Sequence, residues 1–165
     1  MSDKTDVRVT WGARVVAFLL VAGGVLGILA AVFLAQEFAR QQPDRMITPL
    51  ASIIIFAWGV VMGVVLWRGR PAGYKWAKIL FILQIPAFRV AQFSYEFSTG
   101  ISARVLFGHS NSRFGANIGS SLNFLISSDP QGWMFGINLV ALVVVAYLYI
   151  LSRPEQSPQT AARVP

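Results

Sequence analysis

Four stretches of this chain, 12–38, 47–67, 74–93 and 133–152, are apolar over about twenty residues or more. At 1.5 Å per residue, a helix of that length covers a hydrocarbon core of roughly 30 Å. Inside lipid every backbone amide must find a partner within the protein, so a run of this kind is read as a helix. The sequence therefore predicts an all-α membrane protein, a bundle of four transmembrane helices forming a single membrane domain over 12–152. A leader at 1–11 and a disordered tail at 153–165, with Pro154, Pro158 and Pro165 among polar residues, flank it. Charged residues are 13% of the chain, about half the share of a soluble domain.

The first apolar run follows a basic leader but is too long for the core of a cleaved signal, which is about 7–15 residues. Phe33, Leu34 and Ala35 make a poor small-x-small cleavage site, so the run is read as an uncleaved helix. Trp11, Trp67, Tyr74, Trp76, Trp133 and Tyr149 fall near expected helix ends, where amphipathic rings favour the headgroup layer. Pro49 falls in the first turn of the second helix, where a missing amide hydrogen does little harm.

Basic residues set the orientation. Lys4, Arg8 and Arg14 precede the first helix, and Arg68, Arg70, Lys75 and Lys78 surround the turn between the second and third without an acid among them. Arg153 and Arg163 follow the fourth. The remaining connections mix signs: Arg40 and Arg45 with Glu37 and Asp44, then Arg104 and Arg113 with Glu96 and Asp129. Excess Lys and Arg stay in the cytoplasm, so both termini are expected inside, in a bacterial inner (cytoplasmic) membrane. The net charge of +7 is accounted for by these run ends, and no nucleic-acid partner is expected.

Between the third and fourth helices lie about forty residues, more than a turn needs. Odd positions from Phe93 to Phe107 are largely apolar, and so are even positions from Phe114 to Ile126. Strict alternation is the mark of a half-buried strand. A loop at 109–112 would close an extracytoplasmic β-hairpin over 94–127, with Phe107 opposite Phe114, Val105 opposite Ala116, Ala103 opposite Ile118, Phe97 opposite Phe124 and Tyr95 opposite Ile126. Tyr95, Phe97, Ile101, Val105, Phe107, Phe114, Ile118, Leu122 and Phe124 then form one candidate interaction face. Glu96, Ser98, Ser102, Arg104, Asn117, Ser121 and Asn123 form the other. The rival reading is helical, since Phe114, Ile118, Leu122 and Leu125 also share a helix face. The glycines, serines and asparagines of the segment are poor helix formers and favour the hairpin. Gly100, Gly115 and Gly119 are places where such long strands could bend.

Small residues recur every four positions at Gly23, Gly27 and Ala31, and again at Gly59 and Gly63. Such faces let helices approach closely, within this bundle or between copies. Arg89, several residues inside its expected helix, calls for a partner, and Glu37 is the nearest candidate by depth. With Gln84, Gln92 and Asn138 they make a candidate polar cluster, while Gln84 and Pro86 predict a kink in the third helix.

Chemistry is sparse. There is no cysteine and one histidine, His109, and the carboxylates are scattered. Ser110, His109 and Asp129 can be written as a triad, but their spacing gives it no support. No catalytic residue, metal or cofactor is expected. The sequence points to a non-catalytic accessory or structural subunit, in contact with the lipid bilayer and with another membrane protein or further copies of itself. A small channel or transporter built around Arg89 is the alternative.

Overall fold

The computed structural model describes residues 10–41, 47–108 and 112–152. Along them run α1 (Trp11–Gln41), α2 (Ile47–Trp67), α3 (Pro71–Gln84), β1 (Pro86–Ser98), β2 (Ile101–Gly108), β3 (Arg113–Ile118), β4 (Ser121–Asn138) and α4 (Leu139–Leu151). The leader at 1–9, the tail from 153 and the loop tip at 109–111, with His109 and Ser110, lie outside the described residues.

α1 and α2 are long and apolar enough to cross a membrane. α3 and α4, with 14 and 13 residues, each extend only about 20 Å. The expectation of an all-α bundle of four spanning helices is thereby corrected: residues 86–93 of the expected third helix and 133–138 of the expected fourth are strand. Pro86 is the local cause for α3. It has no amide hydrogen to continue the ladder, and its ring would collide with the carbonyl four residues back. Instead of kinking there, the helix closes with Ile85 N donating to Ile82 O at 3.1 Å, and Pro86 opens β1. On the other side, Trp133, Phe135 and Ile137 alternate with Gly132, Met134 and Gly136, a period of two that suits a strand.

The four helices share one core at the end where α1 begins and α4 finishes. Ala13, Val16, Ala17 and Leu20 of α1 meet Leu66 of α2, Tyr74, Ala77, Leu80 and Phe81 of α3, and Ala141 and Leu148 of α4. Of the small-residue faces, Gly27 and Gly63 are spent on contacts between α1 and α2. A Cβ on Gly27 would meet the Phe56 ring at 2.5 Å, and one on Gly63 would meet the Val21 side chain at 2.8 Å. Only small residues allow the helices to come that near.

The strands form one antiparallel sheet in the order β1-β4-β2-β3. Chemically it is a single long hairpin, folded twice. β1 and β4 pair from Pro86↔Ile137 to Ser98↔Ser121, with register shifts around Ala91, whose φ is 51°. There the ribbon turns back, so that the rings of Phe88 and Tyr95 stack with centroids 5.6 Å apart and Tyr95 Oη donates to Leu83 O at 2.7 Å. Thr99 N then donates to Gln84 Oε1 at 2.9 Å, bringing the chain back to the root of the strand. The second fold is at Gly100, where φ is +78°, a region that suits a residue without a Cβ. Beyond it β2 runs back along β4, from Arg104↔Asn138 to Gly108↔Met134, and carries β3 on its outer edge.

The hairpin expectation holds in pairing and in the parity of its faces, while its bounds and register are corrected. Pairing reaches Pro86 and Ile137 rather than stopping at 94 and 127. Val105 lies opposite Phe114, Ile101 opposite Ile118, Phe97 opposite Leu122 and Tyr95 opposite Phe124. That is a slip of two residues from the alternation-based pairing. A slip of two leaves every side chain on its original face, so alternation alone cannot detect it.

Candidate functional site

The two faces of the folded hairpin are the feature most unlike an ordinary sheet. On β2, beyond Gly100, the polar positions Ser102 and Arg104 point inward, while on β2 and β3 several apolar ones point outward. Ser98 and Ser102 are buried, and Arg104 is only 8% exposed. Ile118 is 84% exposed and Phe114 69%, and Ile101 and Phe107 are also exposed. Phe97 is the exception on the apolar face: it is buried against α2, its ring centroid 5.9 Å from that of Phe56. Tyr95, Val105 and Leu122 are half-buried. The side chain of Phe124 lies outside the described residues.

Each inward polar group is positioned by a nameable element. Because the chain folds back at Gly100, Glu96 on β1 and Arg104 on β2 come together as an ion pair. The ladder puts Arg104 opposite Asn138, the residue at which β4 becomes α4. Asn138 Oδ1 accepts from Ala141 N at 3.4 Å, capping the helix, while its own backbone N donates to Ile85 O at 2.9 Å. Gln84 is clamped at both ends of its amide, with Nε2 donating to Leu80 O at 3.3 Å and Oε1 accepting from Thr99. Ser98 and Ser121 share a hydroxyl contact at 3.1 Å. Arg104 Nε and Nη2, Asn138 Nδ2 and Thr99 Oγ1 are buried and make no hydrogen bond among the described residues. A buried group of this kind carries a desolvation cost of about 1–3 kcal/mol.

The fold of the hairpin is pinned to α1 by close contact. Ser120 Oγ donates to Gly23 O at 2.5 Å and accepts from Gly100 N at 3.2 Å. A Cβ on Gly23 would meet Gly100 N at 2.6 Å, so this notch in α1 receives backbone.

Of the candidate polar cluster, Gln84 and Asn138 are brought to the buried junction of α3, α4 and the sheet. Arg89 is exposed on β1 opposite Met134, and Glu37 is exposed on α1. The side chain of Gln92 lies outside the described residues. Sequence reading placed Glu96 and Arg104 on a common polar face and did not pair them. The signal that could have found them is their equal distance from Gly100, the glycine about which the chain folds.

In chemical terms the arrangement is a compensated ion pair with amide and hydroxyl neighbours. It suits holding a shape rather than moving a proton. Among the described residues no group of three His, Cys, Asp or Glu side chains could hold a metal ion. No family model, curated protein sequence or solved structure matches the chain.

Proposed function

We propose that this is a non-catalytic integral membrane protein of the bacterial cytoplasmic membrane, an accessory subunit that binds a second membrane protein through the far arm of its hairpin. The observation that carries the reading is the exposure of Phe107 and Phe114 on β2 and β3, on an edge that among the described residues is paired on one side only. Apolar area left in water costs about 25 cal/mol per Å², and an open strand edge offers main-chain hydrogen bonds to an added strand. The hairpin does not use this surface to cap its own helices, because the side of β2 turned inward carries Ser102 and Arg104.

Two further features support the setting. α1 and α2 meet the length and apolarity that a membrane span requires. The common end of the helices bears Arg14, Arg68, Arg70, Lys75 and Lys78, the bias of a cytoplasmic face. On this reading a reporter active only outside the cytoplasm is silent when fused after Arg153 and active when inserted at Ser110.

Native mass spectrometry of the tagged protein, extracted gently from its own membrane, tests the function. A stoichiometric second protein, lost in Phe107→Asp and Phe114→Asp variants that still fold, supports the accessory reading. A monomer or homo-oligomer carrying only lipid overturns it.

A further inference from the structure

We infer that the fold of the hairpin at Gly100 is a re-entrant element seated in the outer leaflet, with Ile101 and Ile118 against lipid acyl chains. This rests on the reading of α1 and α2 as membrane spans and adds to it a part of the chain that is neither helical nor a span.

Depth is measured by three helices independently. Gly23, which accepts from Ser120, is about 18 Å along α1 from Trp11 at 1.5 Å per residue. Phe56, which packs on Phe97, is about 16 Å along α2 from Trp67 on the same rise. Gln84, which binds Thr99, is about 20 Å along α3 from Pro71. The three values agree. In a hydrocarbon core of roughly 30 Å they put the fold about 10–14 Å below its outer boundary.

At the fold itself, the amides of Thr99, Gly100 and Gly119 find their partners within the protein. Non-helical chain is tolerated at membrane depth only where protein satisfies its polar groups. The amide of Thr99 donates to Gln84 Oε1, that of Gly100 to Ser120 Oγ, and that of Gly119 to Gly100 O at 2.6 Å. Side-chain polarity follows the same logic from Ser98 to Ser102, while Asn117 on β3 is exposed beside Ile118. Ser98, Thr99 and Ser102 are buried while Ile101 and Ile118, paired across the ladder, are exposed. Polar inside and apolar outside is the pattern of strands whose surroundings are hydrocarbon. From Ile118, β3 climbs five residues to Arg113, about 17 Å at 3.3–3.4 Å each, which carries that charge out of the core.

The chain has no cysteine, so single-site spin labelling is direct. The full-length protein is reconstituted in phosphatidylcholine–phosphatidylglycerol vesicles with one nitroxide at Ile118→Cys, Ile101→Cys, Arg113→Cys or Ile54→Cys, the last an exposed position on α2. Collision with oxygen, which concentrates in lipid, is compared with collision with a water-soluble nickel chelate. The expected result is an oxygen-to-nickel ratio at Ile118 and Ile101 matching that at Ile54 and several-fold above that at Arg113. Nickel access at Ile118 and Ile101 with oxygen access at Ile54 overturns the inference and leaves the membrane reading standing. Nickel access at Ile54 as well overturns both. Protection of Ile118 and Ile101 from both reagents also overturns the inference, because protein rather than lipid then covers them.

Discussion

Glu96 and Arg104, eight residues apart in sequence, form an ion pair across the fold that the chain makes at Gly100. The side chain of Arg104 is 10% exposed and that of Glu96 35%, so the pair joins a buried cation to a partly solvated anion. Removing the anion strands the cation. Glu96→Gln is therefore expected to lower stability by roughly 2 kcal/mol, below the range of about 3–5 kcal/mol for a fully buried pair. Titration with sodium dodecyl sulfate in mixed micelles measures it. The double variant Glu96→Gln, Arg104→Met is expected to lose less than Glu96→Gln alone. A double variant weaker than the single one counts against the pair.

The notch at Gly23 has a built-in control. A side chain there collides with the backbone of Gly100, whereas a Cβ on Gly59 meets nothing within 4 Å. Gly23→Val is expected to destabilise by about 1–3 kcal/mol, the usual range for overpacking. Gly59→Ala is expected to be neutral or to gain up to about 1 kcal/mol from helix propensity. Thermal unfolding of both variants in one detergent compares them directly. Equal effects would mean that the hairpin does not occupy the notch.

Gln84 serves the hairpin rather than its own helix. Gln84→Leu fills the same space but leaves the buried amide of Thr99 without an acceptor, at an expected cost of about 1–3 kcal/mol. Hydrogen exchange is the discriminating readout: the amides of Thr99 and Gly100 should lose protection while those of α2 keep theirs. Uniform loss across the molecule would point to general unfolding instead.

Arg89 is exposed, and a surface substitution away from special features changes stability within about ±0.5 kcal/mol. Arg89→Ala is expected to leave both stability and assembly as they were. If it instead abolishes ion or solute flux in reconstituted vesicles while the protein stays folded, the accessory reading gives way to transport.

Sequence alone made the helix and strand types legible where a pattern was long or strictly periodic. α1 and α2 are unbroken apolar runs, and the alternation from Tyr95 to Phe107 and from Phe114 to Leu122 announced a ribbon with two distinct faces. It failed where two readings share one composition. Residues 86–93 and 133–138 are apolar enough for a helix, and only the missing amide of Pro86 and the alternation around Phe135 argued for strand. Register failed because a shift of two leaves parity unchanged. The burial of the faces failed most instructively. Alternation separates Ser102 and Arg104 from the apolar positions and does not say which face meets protein. That choice is set by Gly100, which turns the polar face in upon itself, and by Gly23, which makes room for the turn.

The root of the ladder, Pro86 against Ile137, joins residues about fifty positions apart, and closing so long a loop is slow compared with forming a helix. On a chain made from its N-terminus, α1 and α2 are complete long before α4 exists. The notch at Gly23 therefore stands empty until Gly100 and Ser120, its partners, have been made. Assembly of this protein thus waits on residues from the last two fifths of the chain, which its first two helices must hold a place for.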